Sequence, residues 1–565
     1  MGFLARQPAR PLPWLQRHLP LVKPSPAAAP LRLDESSLMT INPLFLTLDD
    51  LMLSYQVALK RTFWATALGL LAVFILQTEH PGMEVVAACY ALGAISLLPL
   101  WLWINRRVTG LPIVPAIAML DLVFVVLPVL NFRTSVSSYS NSAHLAALAA
   151  QALFLIVMTA VWYKIASRPA PFPKRALMLD PRKGHNGFYQ KAAVAIMLVV
   201  LIYQMAENAN LVYEFILSKI GFGWRNPIVS VITLMSLVGS FVLCLSIGQR
   251  SLSPMMMGLS IALIAATMLV NAVSLILANL TNQFFACLAG YILGRGRIPW
   301  VGLAIFLFTI NLLHLGKWEM RHKYWEIFDG TQRALTIVDY PSFYAEWMGH
   351  GFDHLTGTAP VRDKEDRTNL LERSAVVQIV LYAQRHVPDN APYLMGATYT
   401  VIPELLIPRI LHPNKPRSHE GQVILNVRLG MQTLSQTQTT YIAWGMLAEA
   451  YANFGWPGVI LLGVILGWTF GKITALSALA PLASYRFAIA SIFFLLALNC
   501  TQAVASIVVT TVFQTVIVAS FLCLIVMSKQ EHKLSRKPEE LSEEEQEPFY
   551  LDANQPEPAL SHTTG

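Results

Sequence analysis

Long apolar runs recur along this chain of 565 residues and restrict its fold more than any other feature. Most runs have about the 17–25 residues that an α-helix needs to cross a bilayer. Only 13% of the residues are charged, whereas soluble domains contain roughly 25%. The sequence therefore predicts an all-α polytopic membrane protein.

About twelve transmembrane helices are predicted from these runs. The boundary between the seventh and eighth depends only on the polar residues Asn279, Thr281, Asn282 and Gln283. The predicted spans are 62–78, 83–104, 111–130, 143–165, 192–206, 227–248, 255–276, 279–294, 298–315, 456–471, 486–500 and 505–527.

Lys and Arg residues gather in alternate short loops, including Arg106-Arg107 and the stretch 166–191. Because such loops are usually cytoplasmic, both termini are predicted inside and the loop 316–455 outside. The predicted regions are a cytoplasmic N-terminal tail 1–61, transmembrane helices 62–315, a large, partly helical extracytoplasmic loop 316–455, transmembrane helices 456–527 and a disordered cytoplasmic tail 528–565.

The large loop collects four basic residues that suit an anion. Arg373 lies in a predicted amphipathic helix, whereas Arg409, Lys415 and Arg417 lie among prolines that fix the backbone. Arginine binds phosphate oxygens through two parallel hydrogen bonds. The alternative is a basic outer surface without a ligand, and the residues leave both interpretations open.

Polar residues also stand where the loop meets the next span. Glu449 and Asn453 are four residues apart, so they share one face of a helix. Tyr399 and His419 lie earlier in the loop. The alternative for Glu449 is an ion pair on a helix surface. Aromatic residues of the first third of the loop, from Trp318 to Trp347, suit either sugar rings or the core of the loop itself.

No metal or cofactor is predicted. The five cysteines lie in apolar runs without a CxxC pair, and the large loop contains no Asp-x-Asp pair. The net charge of +8 follows from membrane topology. Since the chain has no basic-aromatic binding motif, nucleic acid is not an expected partner.

An ordered set of motifs resembles the Wzy-type oligosaccharide repeat-unit polymerases of O-antigen and exopolysaccharide synthesis. The motifs are ERxxxV, GATYT, IPRxLxPxKP and AEAYANFGWPGVIL, and the resemblance is strongest over 367–470. It implies a multi-pass protein of the bacterial cytoplasmic (inner) membrane. The implied partners are a lipid-linked oligosaccharide donor and acceptor, membrane lipids, and the chain-length regulator and export proteins of a polysaccharide assembly.

The resemblance further implies a metal-independent inverting glycosyltransferase. A hydroxyl group of a lipid-linked repeat unit would attack the anomeric carbon of a glycan on undecaprenyl diphosphate, and lipid diphosphate would leave. Glu449 and His419 are the candidate catalytic bases. The candidate substrate-binding residues are Arg373, Arg409, Lys415, Arg417, Tyr399 and Asn453.

Three alternatives remain at this point. An O-antigen ligase would use the same donor with another acceptor. A lipid-linked oligosaccharide transporter would place charges within spans, and Asp121 is the clear case here. A non-catalytic scaffold would use the loop for docking. The product separates them, because only a polymerase makes free lipid-linked polymer.

Overall fold

The computed structural model describes residues 47–531 except 77–80, 132–133, 181–186, 221–224, 296, 326–333, 359–374, 409–410, 413, 439 and 441. Most of the described residues are helical, as predicted. The main helices are α1 Leu48–Leu76, α2 Met83–Ile104, α3 Ile113–Leu130, α4 Asn141–Ala166, α5 Phe188–Asn208, α6 Arg225–Gly248, α7 Pro254–Ala272, α8 Leu277–Arg295, α9 Trp300–Leu315, α10 Lys317–Tyr324, α11 Tyr340–Thr356, α12 Val377–His386, α13 Ile402–Leu406, α14 Glu420–Arg428, α15 Met446–Ala478, α16 Tyr485–Ala497 and α17 Ala505–Val526.

Shorter turns complete this description. Leu122–Val126, inside α3, and Tyr213–Leu217 are π-helical. Thr134–Ser137 and Ser218–Ile220 are short α-helical turns, and Gln436–Gln438 and Leu498–Thr501 are 3-10 turns. The π turn of α3 directly follows Asp121.

Among the described residues, eight helices are long and apolar enough to cross a membrane. They are α2 to α7, α15 and α17. A ninth span results if α9 and α10, which meet at 51°, are counted as one bent segment. The other predicted spans fall on α1, α8 and the shorter apolar segment Tyr485–Thr501. A polytopic membrane protein is therefore confirmed, whereas the count of twelve spans remains a prediction.

Two helices begin earlier than the apolar runs indicate. Helix α1 begins at Leu48 rather than at 62, because the amphipathic residues before Lys60 continue the same helix. Helix α15 begins at Met446 rather than at 456, and it breaks at Gly455 (φ 63°, ψ −143°). Hydropathy marks only the lipid-facing part of such helices, so it places their polar first turns outside the span.

A row of glycines packs α15 closely against α4. A Cβ atom on Gly463 would lie 3.0 Å from the Val157 side chain, and one on Gly467 would lie 2.7 Å from the Met158 carbonyl oxygen. Small residues spaced by four allow membrane helices to approach this closely. The indole N–H of Trp162 also donates to the Thr474 hydroxyl, 3.2 Å away. This pair lies at the centre of the first helix group, which contains α2, α3, α4, α12 and α15.

Helices α5 to α8 form a second group with a polar centre. Gln283, which is 1% exposed, donates to the hydroxyl groups of Ser240 and Thr267 at 3.1 and 2.8 Å. Glycines again bring backbones together, since a Cβ atom on Gly290 would lie 2.4 Å from the Phe241 carbonyl oxygen. These contacts hold α6, α7 and α8 together.

Several connecting segments meet at the end of the bundle where α15 finishes. Strand β1 (Arg175–Met178) pairs antiparallel with β2 (Ser528–Glu531), which follows α17. The amide N–H of Ala170 donates to the Ala475 carbonyl, and the Arg486 guanidinium donates to the Ala170 and Pro171 carbonyls. The charge pattern of the sequence predicts all these segments on one side of the membrane, and they lie together here.

The aromatic first third of the large loop packs on the ends of α7, α8 and α9. Phe343 and Trp347 are fully buried, in one cluster with Met320 and Tyr324. The Trp347 indole N–H donates to the Leu313 carbonyl at 2.7 Å, and the Tyr344 ring stacks on Trp347. Phe343, Tyr344 and Trp347 therefore belong to a core, which is the alternative that the sequence left open for them, whereas Trp318 is 44% exposed.

Candidate functional site

The second part of the loop folds onto the first turns of α15. The amide N–H groups of Leu394 and Met395 donate to the carbonyls of Ala452 and Asn453, each at 3.1 Å. Gly455 has a left-handed φ of 63° that ends the first helical section directly after these carbonyls. The helix break therefore leaves backbone groups available to bind the loop.

The Asn453 side chain forms hydrogen bonds with three residues, two in the GATY segment and one in α15. Its side-chain oxygen accepts from the Gly396 amide at 2.9 Å. Its amide group donates to the Thr398 hydroxyl at 2.9 Å and to the Glu449 carbonyl at 2.8 Å. Asn453 is 0% exposed, so each of these bonds is shielded from water. The predicted substrate-binding residue thus holds the GATY segment against α15.

Glu449 caps the final membrane helix. Its carboxylate Oε2 accepts from the amide N–H of Ala505, the first residue of α17, at 2.6 Å. A carboxylate is favourable there because the first amide groups of a helix are unpaired and carry partial positive charge. Glu449 is 0% exposed, and the Thr398 side chain, which Asn453 also binds, interacts with the Glu449 carboxyl group as well.

The His419 segment attaches to the same end of α17. The Ser506 hydroxyl donates to the Ser418 carbonyl at 2.9 Å. The His419 side chain is half-buried, and its pKa is lowered from 6.5 by burial and by the neighbouring charge of Arg417. The imidazole therefore stays neutral over a wider pH range, and a neutral imidazole accepts protons.

Tyr399 lies beside this cluster and is half-buried. Its ring is nearly parallel to that of Phe454, with the ring centroids 6.2 Å apart. Burial raises the pKa of the phenol, and the charge of Glu449 raises it further. The hydroxyl group thus stays protonated and is a hydrogen-bond donor at neutral pH.

The predicted cations separate into two sets. Arg373 and Arg409 lie outside the described residues. Lys415 Nζ donates to the carbonyls of Leu405 and Ile407 at 3.0 and 2.9 Å, so it fastens the end of α13 to the following loop. Arg417 is exposed and stands two residues from His419. The described part of the site therefore contains Arg417, whereas Arg373 and Arg409 stay predictions.

Four partners in this site were absent from the sequence prediction. They are Gly396, Thr398, Ala505 and Ser506. Gly396 and Thr398 belong to the GATYT motif, which marked the segment but not its contacts. Ala505 and Ser506 follow Glu449 by more than fifty residues, and no spacing rule relates positions that far apart. Within the described ranges, no group of three or more His, Cys, Asp or Glu side chains is arranged to hold a metal ion.

These features define a polytopic membrane protein in which an extramembrane loop and the ends of two membrane helices form one polar site. Residues 374–533 match the family model of the O-antigen polysaccharide polymerase Wzy. The matched part contains every described residue of the candidate site. The chain is thus similar to Wzy-type polymerases over this part, and the match confirms the resemblance that the motifs indicate. It supports an O-antigen polymerase in general. No curated protein and no solved structure matches the chain.

Proposed function

We propose that this chain joins lipid-linked oligosaccharide repeat units into an envelope polysaccharide or exopolysaccharide at the outer face of the cytoplasmic membrane. The observation that carries the proposal is the attachment of both the His419 segment and Glu449 to the first residues of α17. This arrangement places a proton acceptor, a cation and an aromatic ring at the end of a membrane helix. A substrate whose lipid stays in the bilayer presents its sugar at that level.

The proposed reaction is a single displacement with inversion. A hydroxyl oxygen of the acceptor repeat unit bonds to the anomeric carbon of the donor glycan. The bond from that carbon to the diphosphate of undecaprenyl diphosphate breaks, and the diphosphate takes the electron pair. The hydroxyl proton passes to a base on the protein. Diphosphate is a competent leaving group, so a covalent intermediate is not needed.

We assign the base to His419 and a positioning role to Glu449. The His419 side chain is half-buried, with its Nε2 atom buried, and its pKa is lowered, so its neutral form predominates at neutral pH. Glu449 is fully buried, and one of its oxygens is bound to the start of α17. A base accepts the hydroxyl proton directly or through one water, and the use of a Glu449 oxygen in the α17 contact favours His419 for this step.

Cations would stabilise the charge that develops on the leaving diphosphate. Arg417 is two residues from His419 in the described part. Arg373 and Arg409 are proposed to bind the diphosphate oxygens through their guanidinium groups. Lys415 holds the loop backbone, which supports a role in shaping the site. Tyr399 and Phe454 offer stacked faces that suit a sugar ring. No step requires a metal ion.

The proposed orientation places this site outside and both termini inside. Support comes from the opposite end of the bundle, where β1 and β2 bring Arg175 and Lys529 into neighbouring strands. Positive residues collect on the cytoplasmic side of a membrane. Chain-length regulator and export proteins of the same assembly are proposed partners, together with membrane lipids.

A deletion strain tests the proposal. Its envelope glycans are separated on a gel, with the wild-type chain and the His419→Gln variant as complements. We expect single-repeat glycan to accumulate without polymer in the deletion and variant strains. Polymer that persists on its lipid but no longer reaches another molecule would instead identify a ligase. Loss of every outward-facing repeat unit would identify a transporter, and restoration of polymer by His419→Gln would exclude His419 as the base.

A further inference from the structure

A small cavity of about 30 Å³ lies inside the first helix group, and no residue of the candidate site lines it. Its polar lining comes from Asp121 in α3, Gln151 in α4 and the turn that follows α16. The apolar lining includes α12 and the first residues of α15. The cavity therefore lies where the large loop packs on the membrane helices.

Asp121 has no charge partner that the described residues supply. It is 3% exposed, and the Gln151 side chain hydrogen-bonds its carboxyl group. Its Oδ2 atom has no hydrogen-bond partner in the described part of the chain, and none of the ion pairs found there includes it. An isolated carboxylate is costly in an apolar interior. Ionisable groups within membrane spans usually mark a functional site.

Oxygen atoms and partial negative charge border one side of the same space, whose other lining is mostly apolar. Helix α16 ends in the 3-10 turn Leu498–Thr501, and the carbonyl end of a helix carries partial negative charge. The Ala505 amide donates to Glu449 rather than to the Thr501 carbonyl four residues before it. That carbonyl oxygen faces Gly445, where an added Cβ atom would lie only 2.4 Å away. Both Gly445 and Thr501 line the cavity.

We propose that Asp121, the Gln151 amide oxygen and the Thr501 carbonyl bind one monovalent metal cation, of the size of Na⁺, in this cavity. A volume of about 30 Å³ holds roughly two water-sized spheres, which suits a small ion with a water and excludes a sugar. Hard cations bind oxygen ligands. Interrupted membrane helices supply such carbonyl ligands to Na⁺ in transporters. A single carboxylate balances one positive charge.

Thermal unfolding of the purified full-length protein tests this site without any need for activity. Tryptophan fluorescence is followed in NaCl, KCl, LiCl and N-methylglucamine chloride at constant ionic strength. We expect one alkali cation to raise the Tm by several degrees with a saturable dependence on concentration, because a ligand that binds only the folded state stabilises it. Asp121→Asn should lose this rise, and Gln151→Leu should shift its midpoint to at least about tenfold higher concentration, since about 1.4 kcal/mol corresponds to a tenfold change.

Asp389→Asn serves as the matched control, because Asp389 is exposed on the loop, and it should keep the full cation response. If Asp121→Asn does not fold, retention of radioactive Na⁺ by wild-type protein and by Gln151→Leu decides the question. Equal Tm values for wild-type protein in all four salts would overturn the proposal. An undiminished response in Asp121→Asn would overturn it as well, and so would wild-type protein that retains no Na⁺.

Discussion

Substitutions of Glu449 distinguish two possible roles for this residue, a cap of helix α17 and a catalytic base. The wild-type carboxylate accepts from the Ala505 amide at 2.6 Å in a fully buried site. In Glu449→Ala this buried amide loses its acceptor, and with it α17 loses its cap, which costs about 1–3 kcal/mol. We therefore expect the free energy of unfolding to fall by about 1–3 kcal/mol.

Glu449→Gln keeps an oxygen that accepts from Ala505 but removes the charge. Because hydrogen bonds to ionised groups are about twice as strong as neutral ones, the expected loss of stability is only about 1 kcal/mol. Glutamine also keeps a polar group next to the Thr398 side chain, which interacts with the wild-type carboxyl group. A positioning role thus predicts that Glu449→Gln keeps polymer synthesis within about tenfold of wild type, whereas loss of a general base costs about 10²–10⁴ in rate.

The assay compares both variants for folded protein and for polymer. Folded protein is measured by thermal unfolding and fluorescence-detected gel filtration, and polymer by the glycan ladder of a complemented deletion strain. Asn390→Ala, an exposed change on the same loop, is the control for nonspecific effects and should match wild type in both measurements. The reasoning is refuted if Glu449→Gln folds like wild type but loses polymer by a hundredfold or more, since about 10² is the lower bound for a lost base.

Three further predictions concern His419, Arg409 and the membrane topology. His419→Gln should lower the polymerisation rate by about 10²–10⁴ while His412→Gln keeps it. Because the pKa of His419 is lowered, the wild-type rate should hold as the pH falls to about 6.5, the usual His value, and drop only below it, where protonation removes the base; a rate already halved at about pH 6.5 would contradict this. Arg409→Ala and Arg409→Lys should both lose polymer, by about 10²–10³ for alanine, whereas Arg385→Ala should keep it; normal ladders from both Arg409 variants would exclude Arg409 from the site. A reporter enzyme fused at Gly357 should be active only outside the cytoplasm, and the opposite result would reverse the proposed topology.

The class of fold was predictable because hydropathy acts locally. Each apolar run specifies a helix by itself, so α2 to α7 lie close to their predicted positions. The polar starts of α1 and α15 were not predictable in this way, since hydropathy does not distinguish a helix that continues into water from a loop. The break at Gly455 was not predicted, although a Gly-Trp-Pro sequence begins there.

The candidate site was predictable as a set of segments but not as a set of contacts. Helical spacing placed Glu449 and Asn453 on one helix, and the structure shows Asn453 donating to the Glu449 carbonyl. The same rule gave no indication that Glu449 binds the start of α17. Lys415 was predicted to bind an anion because of its charge, yet its ammonium group donates to loop carbonyls. The charge of a side chain can be read from the sequence, whereas the group that it binds depends on tertiary packing.

The cap on α17 also bears on the order in which the protein is made. A chain emerges from the ribosome with its N-terminal part first, so the large loop and Glu449 are synthesised before Ala505 and Ser506. Neither Glu449 nor the Ser418 carbonyl has its α17 partner until that helix has entered the membrane. A nascent chain that stops after α16 would therefore contain every predicted base and cation but not the assembled site, and activity would begin only when the final helix is inserted.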